Sequence, residues 1–277
     1  MKFKIVGDSC TDFTPEDLQK EYIVSVPLSI EVGGVEIVDD DTFDQADFLR
    51  RVEASPDCPK SACPSPEAYM NSFEGAEDVY VVTLSAKLSG SYNSACLAKQ
   101  MYEEEHPEVN IHVVDSKSAA AGQLLIAYEI EKRATAGLAF TKLVEEITAF
   151  RDEVKTAFVL ETLEVLRKNG RLSNMKAAMA NLLNIKPYMK AVEGQIEQEG
   201  QARGIKQALT KMIEYIGSVG GNLEEKDLII SNCNCLERAR SVEQKIKEQY
   251  AFRSIKIIDT KGISSLYAAD GGIIIAF

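Results

Sequence analysis

The spacing of apolar and polar positions changes period repeatedly along the chain, and each change marks an expected element. Residues 2–7 (KFKIVG) alternate as a strand and run into the polar set Asp8, Ser9, Thr11 and Asp12. Thr14, Pro15 and Asp17 suit the N-cap, first and third positions of a following helix, which makes a β-loop-α unit. Strands are expected at 23–30 and 35–38, joined across Gly33-Gly34, followed by an acidic loop from Asp39 to Asp41 and a helix near 44–54. The segment 55–66 (SPDCPKSACPSP) holds four of the eight prolines and predicts an irregular, stiff loop. A buried-type strand at 79–84, a helix over about 90–104, a strand at 111–115 and helices across about 119–150 follow.

Strands alternating with helices predict an N-terminal α/β domain over residues 1–152, layered on a mostly parallel sheet. The remainder, 153–277, reads differently. A strand at 156–160 leads to a helix beginning near Thr162, then NGRLSN, then a helix of small and apolar residues at 175–183. KPYMKAV and QIEQEG form a hairpin turning near Glu193-Gly194, and further strands at 227–231, 254–258 and 272–276 are separated by helices at about 204–217 and 235–249. This pattern predicts a C-terminal α+β domain with a mixed or antiparallel sheet. A chain of 277 residues accommodates two such domains.

Composition narrows the function classes. Hydrophobic residues at 45% and charged residues at 27% allow a substantial core, while a net charge of −12 without clustered Lys and Arg argues against nucleic acid as a partner. MKFKIVGDSC enters a strand directly, without a signal-peptide pattern, and no apolar run approaches the ~20 residues of a spanning helix, so a cytoplasmic location is expected. The six cysteines are scattered, and the C-x-C pair Cys233/Cys235 lacks the ligands that would complete a zinc site, so neither metal nor cofactor is expected.

His106 and His112 are the only histidines, and neither accompanies a nucleophile motif; G-x-S-x-G and the Gly-rich phosphate loops are also missing. No catalytic residue is therefore assigned. Adjacent acids such as Asp40-Asp41 and Glu103 to Glu105 read as surface. What stands out is a set of small hydroxyl residues on loops: Asp8-Ser9, Ser61 and Ser65 in the proline loop, Ser89-Gly90-Ser91 ahead of a helix, and Asp115-Ser116. Each has an ordinary reading as a cap or a turn. Together, at strand-to-helix junctions where backbone N–H groups favour an anion, they suggest a neutral, hydroxyl-lined carboxylate pocket.

The same residues resemble the DegV family. Asp8-Ser9 with Thr11-Asp12 is similar to the family's D-S-x-x-D, Pro27-Leu28 to its P-L strand, and Ser61 to Pro66 to T-S-Q-P-S-P. Leu88 to Ala95 (LSGSYNSA) is close to L-S-G-T-Y-x-S-A, Val113 to Ser116 repeats V-V-D-S, and Thr162 to Ser173 resembles T-L-x-x-L-x-x-x-G-R-x-S, continued by Leu183 to Pro187. The resemblance implies a long-chain fatty acid such as palmitate buried between two domains. Its carboxylate would be held by hydroxyls at the positions of Ser61 and Ser89, with Gly90, Ser91 and Arg171 beside them. It also implies a carrier rather than an enzyme. Some members serve a separate fatty-acid kinase, and such a ligand leaves room for transient membrane contact.

Three departures matter. Ser61 stands for the family's Thr, Ala62 and Cys63 replace Ser and Gln beside it, and Tyr267 stands where the family has the His of H-x-G-P-G, with Ala269-Asp270-Gly271 at its G-P-G. A phenol can still donate a hydrogen bond, to the head group or to the Ser61 loop, but it carries no positive charge. For the acyl chain, the apolar stripe Met175, Met179, Leu182, Leu183 and Ile185 is the expected lining, with an ordinary helix-packing face as its alternative. The rival functions are a small-molecule enzyme, with Arg171 and the Ser89 loop as its anion site and Asp8 or Asp115 as general base, and a regulatory protein whose ligand only sets its shape.

Overall fold

Strand β1 (Phe3–Asp8) buries Ile5 and Val6 completely although they point to opposite faces, because helices cover both sides of its sheet. The computed structural model describes residues 1–172 and 184–277. In it β2 (Ile23–Val26), β1, β6 (Asp78–Thr83) and β7 (Asn110–Asp115) form a wholly parallel sheet in the order β2-β1-β6-β7. Helices α2 (Pro66–Phe73) and α3 (Ser91–Glu105) pack on Val6 and Val81, while α4 (Ala121–Thr135) and α5 (Phe140–Glu153) pack on Ile5 and Tyr80.

A second, antiparallel sheet joins β3 (Ser29–Val32), β4 (Val35–Val38) and β5 (Lys60–Ala62). Helix α1 (Gln45–Ala54) lies between β4 and β5 in the chain and starts at Asp44, whose side chain accepts the Asp47 N–H.

The C-terminal part carries a six-stranded mixed sheet. Its strands are β8 (Thr156–Val159), β9 (Ile185–Val192), β10 (Gln195–Arg203), β11 (Asp227–Asn232), β12 (Ser254–Asp259) and β13 (Ile273–Ala276), in the order β10-β9-β8-β13-β11-β12. Only β11 and β12 run parallel. Helices α7 (Ile205–Val219) and α8 (Leu236–Gln249) cover one face, and α4 meets the other through Ile229, Ile258 and Ala276. Because α4 touches a sheet on each side, it is buried nearly all round, as its apolar sequence requires. The division drawn at 152/153 falls in the last turn of α5. Two short helices, α6 (Glu164–Lys168) and α9 (Gly262–Ala268), complete the chain.

Three expectations change. The helix after Thr14 is a single 3₁₀ turn, Asp17–Gln19, opened by a reciprocal cap in which Asp17 accepts from the Thr14 N–H and hydroxyl and Thr14 Oγ1 accepts the Asp17 N–H. The strand expected over 23–30 breaks at Pro27, and its halves enter different sheets. The proline loop is not wholly irregular, since residues 60–62 pair with β3. The helix proposed at 175–183 lies outside the described residues.

Candidate functional site

The parallel strand β6 ends at Thr83, and the chain beyond it turns through Ser85, Leu88 and Ser89 into α3. Gly90 stands at the N-cap of that helix, and no side chain caps it among the described residues. Ser89 accepts the Ser91 N–H through Oγ at 3.2 Å, and the two hydroxyls lie 2.9 Å apart. A helix start with its hydroxyls gathered this way favours an anion.

The proline loop packs against this turn. A Cβ on Gly90 would lie 3.0 Å from Cys63 Sγ, and Ser94 Oγ donates to the Pro64 carbonyl at 2.6 Å. From the C-terminal part, Asn169 donates to the Pro59 carbonyl (3.0 Å), Arg171 Nε donates to the Leu88 carbonyl (3.1 Å), and Tyr267 on α9 brings its hydroxyl to 3.0 Å from Ser61 Oγ. The Arg171 guanidinium also donates to the Asn169 carbonyl.

Helix α9 is positioned by acids from the N-terminal part. Asp39 accepts the N–H groups of Gly262 (2.6 Å) and Ile263 (2.9 Å), and Asp12 accepts that of Lys261 (2.8 Å). Both carboxylates are buried, and burial pushes both above the usual range while these hydrogen bonds pull back. Gly262 is required here: a Cβ would fall 2.6 Å from the Asp39 carboxyl carbon.

Behind the loops Asp8 is completely buried. It accepts the Leu84 N–H (2.7 Å) and the Gln123 amide (2.8 Å), and burial raises its pKa to about 6 against these bonds.

Beneath these contacts lies a cavity of ≈ 90 Å³ between Leu84, Leu88 and the Lys117–Ala120 segment on one side and the six-stranded sheet on the other. Leu84, Leu160, Leu166, Phe158, Ile196 and Ile274 form much of its wall. Arg171 and Tyr267 line it directly, whereas Ser61 reaches it only through Tyr267, and Ser89, Gly90 and Ser91 sit beyond Leu88 rather than on the wall. Cys10 also lines it. Burial and the neighbouring Asp12 and Asp8 push that thiol well up, so at neutral pH it is no nucleophile.

Of the six residues expected from sequence, Arg171 and Tyr267 line the apolar space, Ser61 bonds to Tyr267 behind it, and Ser89, Gly90 and Ser91 follow the Leu88 carbonyl that Arg171 holds. Neither Asp8 nor Asp115 lines that space, and Asp115 Oδ1 accepts the Ala86 and Lys117 N–H groups, so the geometry gives no support to a general base at either position. Of the acyl-lining residues expected from sequence, Ile185 opens β9 and is not on the wall; Met175, Met179, Leu182 and Leu183 lie outside the described residues. Sequence reasoning missed the Asp12 and Asp39 clamp and the Ser118–Thr156 pair on the wall, since each depends on partners distant in the chain. Among the described residues, no group of three or more His, Cys, Asp or Glu is arranged to hold a metal, and no helix is long and apolar enough to cross a membrane.

The DegV family model matches residues 2–277. The chain belongs to the DegV family. It is 36% identical over 283 residues to a DegV domain-containing protein of Streptococcus pneumoniae, covering 100% of this chain and 99% of that one. A DegV family crystal structure from Ruminococcus gnavus, refined with vaccenic acid, superposes with a TM-score of 0.96 at 46% identity and 99% coverage of both chains. The Streptococcus pneumoniae Fatty Acid Kinase (Fak) B3 protein loaded with linoleic acid superposes with a TM-score of 0.92 at 35% identity, covering 100% of this chain and 99% of that one. The parallel N-terminal sheet and the mixed C-terminal sheet are thus those of DegV proteins, several of which carry fatty acids.

Proposed function

We propose that the chain binds a long-chain fatty acid with its tail in the apolar cavity and its carboxylate at the Ser61, Ser89–Ser91, Arg171 and Tyr267 end, between an N-terminal domain of residues 1–152 and a C-terminal domain of 153–277. It presents this ligand to a partner, a fatty-acid kinase, and does not turn it over itself. The observation that carries the reading is that Tyr267 and Arg171 line an apolar cavity while bonding outward to Ser61 and to the Leu88 carbonyl, next to the Ser89–Ser91 turn. Relatives carrying vaccenic and linoleic acids support the ligand class, and the Fak B3 protein supports the partner class.

The energetics fit. Fifteen or so methylenes leaving water gain on the order of 12 kcal/mol gross at about 0.8 kcal/mol each, so the head group needs only enough donors to offset its desolvation. A chain of that length needs more room than ≈ 90 Å³, so wall side chains adjust as it enters.

The test is denaturation and organic extraction of the purified protein followed by mass spectrometry. Near-stoichiometric long-chain fatty acid is the expected result. Finding no acyl species, together with no binding of added palmitate or oleate, would overturn the reading.

A further inference from the structure

On strand β8 the side chains facing the cavity are Thr156 and Phe158, with Leu160 continuing the row just beyond the strand, as the period of two requires. Leu160 packs in one cluster with Leu166 and Tyr267, which places it toward the end where the carboxylate contacts gather. Thr156 lies four residues back along the row, about 13 Å away at the usual rise. There its hydroxyl meets that of Ser118 at 2.7 Å, with Thr156 and Ser118 each 5% exposed.

This pair is the hydrogen-bonded part of a partition. Ser118 and Thr156, with Lys117 and Ala191 beside them, line both the apolar cavity and a surface crevice of ≈ 270 Å³ whose other walls include Arg151, Asp152, Lys155 and Lys190. The partition is firmly held. Ser116 Oγ accepts the Ser118 N–H (3.1 Å) and donates to the Ser118 carbonyl (3.0 Å). The first turn of α4 presses on the pair so closely that a Cβ on Gly122 would fall 2.1 Å from Ser118 Oγ and 2.5 Å from Thr156 Oγ1.

We infer that the Ser118–Thr156 pair is the terminal wall of the acyl site and sets the longest chain the protein accepts, an inference that rests on the fatty-acid reading above. A methyl terminus can abut the pair because Ser118 and Thr156 bond to each other and Ser118 Oγ can donate to the Ala119 carbonyl. A longer tail has two ways forward, both unfavourable. It can part the hydroxyls and cost Thr156 its buried partner, or it can push into a charged, hydrated crevice where burial gains nothing. Up to the wall, each added methylene raises affinity about fourfold; beyond it the gain stops and reverses.

The experiment measures dissociation constants of the delipidated full-length protein for myristate, palmitate, stearate, arachidate and behenate, in the wild type, in Ser118→Ala/Thr156→Ala and in Thr156→Ile. In the wild type, affinity should climb along the series and then break. The double substitution, which removes both hydroxyls and widens the end, should move the break at least one acid longer. Thr156→Ile, which extends the wall inward, should move the break shorter, and this arm stands even where the double variant does not fold. A wild type that binds fatty acids with a break that stays in place in every folded variant overturns the terminal wall and leaves the fatty-acid reading intact. A wild type that binds none of the series overturns that reading and the wall with it.

Discussion

The hydroxyls of Ser61 and Tyr267, separated by 206 positions in the chain, lie 3.0 Å apart at the end of the apolar cavity. Each hydroxyl carries one proton, so while they bond to each other only one proton can be offered onward. A carboxylate arriving between them can accept both. The contact joins the three-stranded sheet to α9 across the proposed domain boundary, and under the fatty-acid reading it would supply two donors to the head group.

Removing either hydroxyl should weaken acid binding and leave the fold intact. Ser61→Ala, Ser89→Ala and Tyr267→Phe are each expected to lose about 1 to 2 kcal/mol of affinity for palmitate, the worth of one charge-assisted hydrogen bond. The Ser61/Tyr267 pair should be non-additive, because each single change also strips the other hydroxyl of its partner. Calorimetric titration of the three variants and the double variant decides this. Wild-type affinity in all of them, or a methyl ester binding as tightly as the acid, would place the head group elsewhere.

Tyr267 also bears on the proposed kinase partner. A neutral phenol cannot balance charge or relay a proton as an imidazole does near neutral pH. With a fatty-acid kinase from a related bacterium, the lipid-loaded Tyr267→His variant is expected to yield acyl phosphate faster than the unmodified protein. Equal rates would show that the tyrosine is silent in that step.

How far these elements could be read in advance depended on how local their causes are. β1, β6 and β7 were legible because burial on one or both faces leaves its mark in the residues of the strand itself. The break at Pro27 was not, since an apolar period does not record which sheet a strand joins. Helix α9 (GISSLYA) is too short to display a helical period, and it owes its start to Asp39, more than two hundred residues earlier. Asp39 itself looked like part of an exposed acidic loop, and only its neighbours Asp40 and Asp41 keep any exposure. At the site, the hydroxyl residues on separate loops were visible as types. Their convergence depends on β5 pairing with β3 and on α9 packing against α1.

That dependence makes Asp39 a test of how Tyr267 is held. Asp39→Ala would leave the Gly262 and Ile263 N–H groups buried without an acceptor, and a loss of about 2 to 4 kcal/mol in urea unfolding is expected. Palmitate affinity should fall as well, although Asp39 does not line the cavity, because Tyr267 loses its fixed approach to Ser61. Unchanged stability would mean that α9 is anchored by its apolar contacts alone.

Asp8 allows a prediction with a sign that runs against ordinary acid unfolding. Burial raises its pKa from 3.8 to about 6, so the folded protein holds this proton more tightly than the unfolded chain does. The stabilisation given by the neutral carboxyl is complete below about pH 4 and is lost as the pH rises through about 6. Asp8→Asn is neutral throughout, and any fixed penalty from its altered hydrogen bonds to Leu84 and Gln123 does not vary with pH. Gln123 Oε1 has no hydrogen-bond partner among the described residues, so a rotated amide could accept from the new asparagine. The stability of Asp8→Asn relative to the wild type should therefore rise between pH 4 and pH 7, by up to about 3 kcal/mol at ~1.4 kcal/mol per unit. Urea unfolding of both proteins across that range isolates the effect, since every other titrating group is common to the two. A flat difference would mean that the bonds of Asp8 to Leu84 and Gln123 cancel its burial, and one that falls as pH rises would mean that they outweigh it and hold the carboxyl below its ordinary range.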